Sequence, residues 1–265
     1  MDVANPSRIS KMVDLFEGFT HIVLLAAKIG RVMFNTDPKP NAGYNTMIFN
    51  NVVETVDIAS WLYDMKYDFT FYSTSEVYGS AHTSESVITE STAPSIITSD
   101  RGAYSSQKLA AEKYLTSIHE TNESIGNLKI IRPFNVSGKH QRRGVVFDMV
   151  KDAVENGKIW YSMNTTRTLT SSEFAKSRSA DLILSDKSGV FNLSEGITLT
   201  MEALANEIRD RIGGSIELEA READPQIQFR QTTRLSEGYD RDKLVDIIDE
   251  VYSYVKEHYV RREQS

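Results

Sequence analysis

Cysteine is absent from this sequence of 265 residues, and its absence excludes disulfide bonds, thiolate catalysis and cysteine-ligated metals. Histidine is scarce as well. Only five occur, and they are scattered along the chain without the spacing that metal ligands need. The sequence therefore predicts no metal site.

An excess of positive charge and long apolar runs are also lacking. The chain carries 30 Lys and Arg against 37 Asp and Glu, a formal net charge of −7, so nucleic acid and anionic membranes are unfavourable partners. No apolar run reaches the length of a membrane span, and Asp2 rather than a basic, apolar leader follows Met1. We expect a cytoplasmic protein. Its length and its 40% of hydrophobic residues suit one globular domain or one domain with a cap.

A Tyr-x-x-x-Lys pair, Tyr104 and Lys108, is the most informative feature of the chain. On a helix these two side chains lie one turn apart on the same face. An ammonium beside a phenol stabilises the phenolate, so such a pair produces a tyrosine that accepts a proton near neutral pH. Because the same spacing is common between surface residues, its meaning depends on the motifs around it.

Two further motifs flank this pair. Residues 68–72 are mostly aromatic or β-branched and lead into Ser-Thr-Ser-Glu-Val-Tyr-Gly at residues 73–79. This pattern predicts a buried strand that delivers hydroxyls and a carboxylate at its C-terminal end, where ligands bind in open α/β sheets. The sequence Ile-Arg-Pro-Phe-Asn-Val follows at residues 131–136.

These three motifs, in this order, resemble the extended short-chain dehydrogenase/reductases, the NAD-dependent epimerase/dehydratase family that acts on nucleotide sugars. The resemblance extends from about residue 2 to residue 192. It implies an α/β fold with a Rossmann-like, doubly wound parallel sheet, here truncated at its N-terminus, in residues 1–137. A smaller α/β substrate-binding cap is expected in residues 138–265, with residues 189–194 returning to the sheet.

The resemblance also implies catalytic roles. Tyr104 takes the proton of a sugar hydroxyl while hydride passes to NAD, and Lys108 lowers the pKa of Tyr104. Thr74 supplies a bridging hydroxyl, and Glu76 is the candidate base for the carbon beside the resulting keto group. Ser75 stands where dehydratases of the dTDP-glucose type carry Asp. The Thr-Ser-Glu form resembles GDP-mannose dehydratases and UDP-glucuronate decarboxylases, but 4,6-dehydration, epimerisation and decarboxylation all remain open.

Ligand-binding residues follow from the same resemblance. The residues expected to bind the nucleotide diphosphate of the substrate are Asn135, Arg167 and Arg234. The residues expected to bind NAD are Ala26, Ala27, Asn51, Ser73, Tyr104, Lys108 and Pro133. In the family, the helices that correspond to residues 44–66 and 103–119 pack against their copies in a second subunit, so a homodimer is implied.

The glycine-rich fingerprint of the family, Gly-x-x-Gly-x-x-Gly, is missing, because Gly18, Gly30 and Gly43 have a different spacing. The opening residues resemble the end of the family's third strand, so two βα units, ~60 residues, are expected to be absent. Strand 21–27 would then lie at the edge of the sheet with its backbone groups unpaired. We expect a partner chain, a rearranged N-terminus or edge-to-edge self-association to cover it.

Two functions from different classes remain open. The first is an NAD-dependent enzyme acting on nucleotide sugars, which predicts that Thr74, Glu76, Tyr104 and Lys108 occur together, as they do. The second is an inactive relict, or a subunit of a split enzyme, that binds a nucleotide sugar or a partner chain without binding NAD. A third possibility is that Met1 is an internal methionine of a longer reading frame.

Overall fold

The computed structural model describes residues 18–25, 49–63, 66–79, 81, 87–95, 102–121, 126–222 and 240–259. Ala26, Ala27, Arg234 and the helix predicted at residues 6–16 lie outside the described residues. The chain divides into two compact units. The first comprises Met1–Gly79, Ala93–Arg132 and Ala180–Asn192, and the second comprises Ser80–Thr92, Pro133–Ser179 and Leu193–Ser265. The division at residue 137 into a cofactor domain and a cap stays a prediction.

The described helices and strands alternate along much of the chain, as in other α/β proteins. In chain order they are β1 (His21–Leu24), a π-helical turn (Phe49–Val53), α1 (Glu54–Tyr63), β2 (Asp68–Tyr72), a 3₁₀ helix (Ser75–Tyr78), α2 (Gly102–Thr121), β3 (Leu128–Pro133), β4 (Val136–Ser137), α3 (Val145–Asn156), β5 (Lys158–Ser162), β6 (Thr166–Ser171), α4 (Ser172–Ile183), β7 (Gly189–Leu193), β8 (Ile197–Thr200), α5 (Met201–Ile212), β9 (Glu217–Arg221) and α6 (Arg241–Tyr259).

The first unit contains a four-stranded sheet in the order β1-β2-β3-β7. Strands β1, β2 and β3 run parallel, and Val23, Thr70 and Lys129 lie at the same level across them. The predicted α/β class with a parallel sheet is confirmed. Within the described residues β1 is an edge strand, as expected, and its cover by a partner chain stays a prediction.

The apolar side chains of β2 and β3 pack against helix α2. Phe69, Phe71 and Ile130 are almost fully buried, and Ala111 and Leu115 of the helix contact them. These residues alternate along the strands because successive side chains point to opposite faces of a sheet. Each buried Phe stabilises the unit by about 2–3 kcal/mol, so the end of β2 is fixed relative to α2.

A tight turn fixes the chain just beyond the 3₁₀ helix. Gly79 has a φ of 50°, and a Cβ at this position would lie 2.1 Å from the carbonyl oxygen of Ser95. Ser95 donates its backbone N–H to Val77 O at 3.0 Å and its hydroxyl to Tyr78 O at 2.9 Å. Glycine is therefore required here for both conformation and space.

The second unit contains two small sheets, β4-β6-β8 and β5-β9. Helices α3, α5 and α6 pack on one apolar core, to which α5 contributes a helical stripe that includes Leu204, Ala205 and Ile208. The residues before α5 suggest Thr198 as its N-cap, and this interpretation is wrong. Residues 197–200 continue as β8, paired with β6, and the Oγ1 of Thr200 accepts from Ala203 N at 3.1 Å.

Candidate active site

The C-terminal end of β2 presents the predicted hydroxyls and carboxylate in a short turn. Ser73 continues the ladder by donating its backbone N–H to Ile131 O at 2.8 Å. Thr74 begins the 3₁₀ helix, and its Oγ1 accepts from Glu76 N at 3.2 Å. Because this bond uses the hydroxyl as an acceptor, the Thr74 proton is left to donate. Ser75 is buried and Glu76 is half-buried at the same place.

Lys108 is held against the end of β2 rather than in solvent. Its exposed fraction is 1%, its Nζ donates to Tyr72 O at 2.7 Å, and its ammonium lies 4.4 Å from the centre of the Phe71 ring. Burial lowers the pKa of Lys108 to about 8, and the carboxylate of Glu112 partly offsets this. Lys108 is therefore mostly protonated at pH 7.

Tyr104 lies one helical turn before Lys108 and interacts electrostatically with Glu76. Burial, together with the negative charge of Glu76, raises the pKa of the Tyr104 phenol. This direction is opposite to the lowered pKa expected from the Tyr-x-x-x-Lys spacing. Burial and the Glu76 carboxylate both disfavour the phenolate, while the ammonium of Lys108 donates to the Tyr72 carbonyl. Glu76 is thus close enough to Tyr104 for its charge to act on the phenol.

Asn51 lies in the π-helical turn and is fully buried. Its Nδ2 donates to Gln107 Oε1 at 2.9 Å, directly beside Lys108 in the chain. Asn51, a predicted NAD-binding residue, thus forms a side-chain bond to α2. π-Helical turns occur frequently at functional sites.

The predicted substrate residues Asn135 and Arg167 lie in the second unit. Asn135 has a φ of 28°, which Asn tolerates better than most residues, and its Nδ2 donates to Thr168 O at 2.8 Å. Its carbonyl accepts from Thr170 N at 3.3 Å. Arg167 precedes Thr168 on the same strand, so the structure brings the two predicted phosphate ligands to one strand, β6. Pro133, a predicted NAD contact, is the last residue of β3.

Sequence reasoning missed a buried ion pair next to Lys108. Arg132 Nε donates to Glu112 Oε1 at 3.0 Å, Nη2 bonds the other carboxylate oxygen, and both side chains are at least 95% buried. Glu112 follows Lys108 by four residues and therefore lies on the same helix face. That spacing, and the charged residue within the apolar strand β3, were the signals that could have found the pair.

Across the described ranges, no three His, Cys, Asp or Glu side chains are grouped to hold a metal ion. The same part of the chain contains no helix with the length and apolar character to cross a membrane.

The comparisons with known proteins agree with the fold and show the family. The sequence model of the NAD dependent epimerase/dehydratase family matches residues 1–173. The chain belongs to this family. A search of curated proteins finds no match.

Solved structures with the same fold are sugar-nucleotide enzymes, although their sequences have diverged. The UDP-N-acetylglucosamine 4-epimerase of Methanobrevibacter ruminantium M1, in complex with UDP-N-acetylmuramic acid, is 20% identical, with a TM-score of 0.76 over 97% of this chain and 82% of that chain. The UDP-glucuronic acid 4-epimerase of Bacillus cereus, in complex with UDP-glucuronic acid and NAD, is 21% identical. Its TM-score is 0.76, and the match covers 98% of this chain and 81% of that chain. TunA, an NAD-dependent NDP-hexosamine 5,6-dehydratase involved in tunicamycin biosynthesis, is 16% identical. Its TM-score is 0.74, and the match covers 94% of this chain and 80% of that chain.

NAD is the cofactor of the family, and two groups at the end of β2 fit it. Among the described residues, the buried Ser73 hydroxyl has no hydrogen-bond partner, and the Lys108 ammonium donates one of its three N–H groups. Both lie at the carboxyl end of a parallel strand, where dinucleotides bind in doubly wound sheets. These residues would hold the nicotinamide ribose side of the cofactor.

Proposed function

We propose that this protein catalyses the NAD-dependent modification of a nucleotide-diphosphate sugar through a 4-keto intermediate, as a 4,6-dehydratase, an epimerase or a decarboxylase. The observation that carries the proposal is the assembly of Thr74, Glu76, Tyr104 and Lys108 around the end of β2 and one face of α2. A carboxylate near a half-buried phenol makes it harder to ionise either group. A purely structural protein has no need for such an arrangement, so its presence favours a catalytic role.

Each of these side chains has a distinct task. Tyr104 takes the proton of the sugar hydroxyl, with Thr74 donating its own hydroxyl proton to the same oxygen. NAD, when bound, accepts the hydride from the carbon that bears this oxygen. Lys108 supplies the nearby positive charge that the phenolate needs.

Glu76 serves the step that follows oxidation. The keto group acidifies the neighbouring carbon, and Glu76 removes its proton, with Ser75 beside it in the 3₁₀ helix. The electron pair left on carbon then expels the neighbouring hydroxyl, which leaves as water with the proton that Glu76 took, or the carbon is reprotonated from the other face. In a decarboxylase the keto group instead stabilises the electron pair that departing CO₂ leaves behind. In each case the hydride would return from the reduced cofactor to the sugar, so the net reaction is redox-neutral.

For the substrate, we propose that Asn135, Arg167 and Arg234 bind the diphosphate, since guanidinium groups bind phosphate oxygens in pairs. Solved relatives of the same fold carry UDP-sugars in their complexes. A uridine or guanosine diphosphate sugar is therefore the first class to test.

The direct test is calorimetry of the purified chain with NAD, alone and with UDP- and GDP-sugars, followed by turnover assays with the same sugars. We expect NAD binding and conversion of at least one sugar. Binding of a nucleotide sugar without any binding of NAD would contradict the proposal and favour the relict or split-enzyme subunit. The missing Gly-x-x-Gly-x-x-Gly fingerprint is the observation on which that second candidate rests.

We also propose a homodimer through helices 44–66 and 103–119. Val53 and Tyr114 are large apolar residues on the described parts of these two helices, and they are 37% and 39% exposed. Exposed apolar side chains on two adjacent helices are typical of a surface that packs against another chain.

Tyr114→Lys is expected to convert this dimer into a monomer, because it places a charge in the apolar contact. Molar mass from light scattering after gel filtration measures the change. The matched control is Trp160→Lys, since Trp160 is another exposed aromatic residue, 43% exposed, in the second unit. A wild-type chain that elutes as a monomer contradicts the proposal.

A further inference from the structure

Arg132 contacts both of the elements that carry the proposed catalytic residues. On one side, its guanidinium binds Glu112, on the face of α2 that also bears Tyr104 and Lys108. On the other side, its Cζ lies 4.7 Å from the centre of the Tyr78 ring. Tyr78 is the last residue of the 3₁₀ helix, which carries Glu76.

The contact with Glu112 is a two-pronged ion pair out of solvent. The guanidinium fork matches the two carboxylate oxygens, and such pairs fix orientation as well as distance. Because Lys108 is bonded to Tyr72 O at the end of β2, the Arg132 pair is a second attachment of α2, this time to β3.

The contact with Tyr78 fixes the other element. Tyr78 is fully buried, its hydroxyl donates to Asn192 Oδ1 at 2.7 Å, and its carbonyl accepts from the Ser95 hydroxyl. The ring is thus held at both ends, with the guanidinium over its face. A lysine ammonium can lie over the ring but cannot also form the two-pronged bond to Glu112, so it cannot replace both contacts.

We propose that Arg132 is a positioning residue, which sets the separation of Glu76 and Tyr104 by joining the 3₁₀ helix to α2. Its catalytic meaning rests on the function proposed above. Arg132 itself touches no reacting atom. It acts through Tyr78 on Glu76, and through Glu112 on Tyr104 and Lys108.

The test separates positioning from stability. Arg132→Met alone leaves the buried Glu112 charge unpaired and so destabilises the fold. The informative variant is therefore the double change Arg132→Met with Glu112→Leu, because it removes both charges and replaces the ion pair with apolar packing. Arg132→Lys keeps the charge but loses the fork. Lys129→Met is the matched control, because Lys129 is a fully buried cation on the same strand near its amino end.

Two measurements are made on each full-length variant. Steady-state kinetics is recorded as a full pH profile, because Glu112→Leu removes the carboxylate that raises the pKa of Lys108, and the profile separates a shifted pKa from a lower kcat at the pH optimum. We expect the double variant to melt close to wild type but to lose kcat by about 100-fold, with KM within about twofold. Arg132→Lys is expected to lose about tenfold, and Lys129→Met to retain the wild-type kcat.

Hydrogen exchange of the backbone amides in residues 75–79 is the second measurement, and it does not depend on turnover. We expect exchange in this segment to accelerate about tenfold in the double variant and to stay unchanged in Lys129→Met. A double variant with wild-type kcat and wild-type exchange would overturn the inference. If the wild type shows no turnover, the proposed function fails, and hydrogen exchange alone tests the role of Arg132. Accelerated exchange in the double variant then supports the link between the 3₁₀ helix and α2, and unchanged exchange contradicts it.

Discussion

Tyr104→Phe is expected to lower turnover by about 1,000-fold while leaving NAD and nucleotide-sugar binding within about twofold of wild type. The substitution keeps the ring that fills the half-buried site on α2 and removes only the oxygen that is proposed to accept the substrate proton. Turnover is measured by spectrophotometry, and the binding of NAD and of the nucleotide sugar is measured by calorimetry.

The matched control is Tyr114→Phe on the same helix. Phe keeps the apolar ring that Tyr114 contributes to the proposed dimer surface, so the loss of its hydroxyl is expected to leave both the dimer and turnover unchanged. Wild-type turnover in Tyr104→Phe would assign the proton acceptor to another group and would remove the main support for the proposed mechanism.

Glu76→Gln is expected to have two effects of different kinds. If Glu76 is the base for the carbon next to the keto group, turnover of a dehydratase, or of an epimerase that inverts that carbon, falls by about 100-fold. The amide keeps nearly the same shape, so the fall reports the missing base and not a rearranged 3₁₀ helix. Incorporation of deuterium from D₂O at that carbon measures the proton removal directly, and it falls in parallel.

The second effect of Glu76→Gln is a shift of the pH profile. The negative charge of Glu76 raises the pKa of Tyr104, because it disfavours the phenolate. Removal of this charge lowers the pKa of Tyr104, so the acidic limb of log kcat against pH moves to lower pH. Glu90→Gln, at an exposed position of the loop that follows, is the control with no expected shift.

The two effects distinguish the open reaction types. A plain 4-epimerase needs no base at position 76, so its Glu76→Gln variant keeps its turnover and shows only the pH shift. A variant with full turnover and an unmoved pH profile would contradict the electrostatic contact between Glu76 and Tyr104 as well as the proposed base.

Local patterns predicted much of the fold. The aromatic and β-branched run of β2, the helix expected at residues 103–119 and the return of residues 189–194 to the sheet lie within about two residues of the observed β2, α2 and β7. Helix α4 was missed because its sequence, Ser172–Ile183, is mostly polar and its ordering comes from its neighbours in the fold. Strand β8 was missed because Thr198, just before an apolar helical stripe, has the residue type of a helix cap. Its extended conformation comes from pairing with β6, which is distant in the sequence.

For the candidate site as well, the sequence predicted some features and packing decided others. The types and order of the reactive side chains Thr74, Glu76, Tyr104 and Lys108 follow from the sequence, because a strand end and a helix turn place neighbours in a known geometry. The direction of the Tyr104 pKa does not follow from it. That direction depends on burial and on a carboxylate 28 residues earlier in the chain, and both are properties of packing.

By itself, the sequence determined the family, the α/β fold class and the absence of cysteine chemistry, and it named the candidate catalytic side chains. Only the tertiary structure decided how those elements are held: the Lys108 bond to Tyr72, the pairing of Glu112 with Arg132, and the bond from Tyr78 to Asn192 across 114 residues of chain. The reason is physical. Helix and strand periodicity act over a few residues, whereas an ion pair or a stacked guanidinium forms only where the folded chain brings distant residues together and excludes water from them.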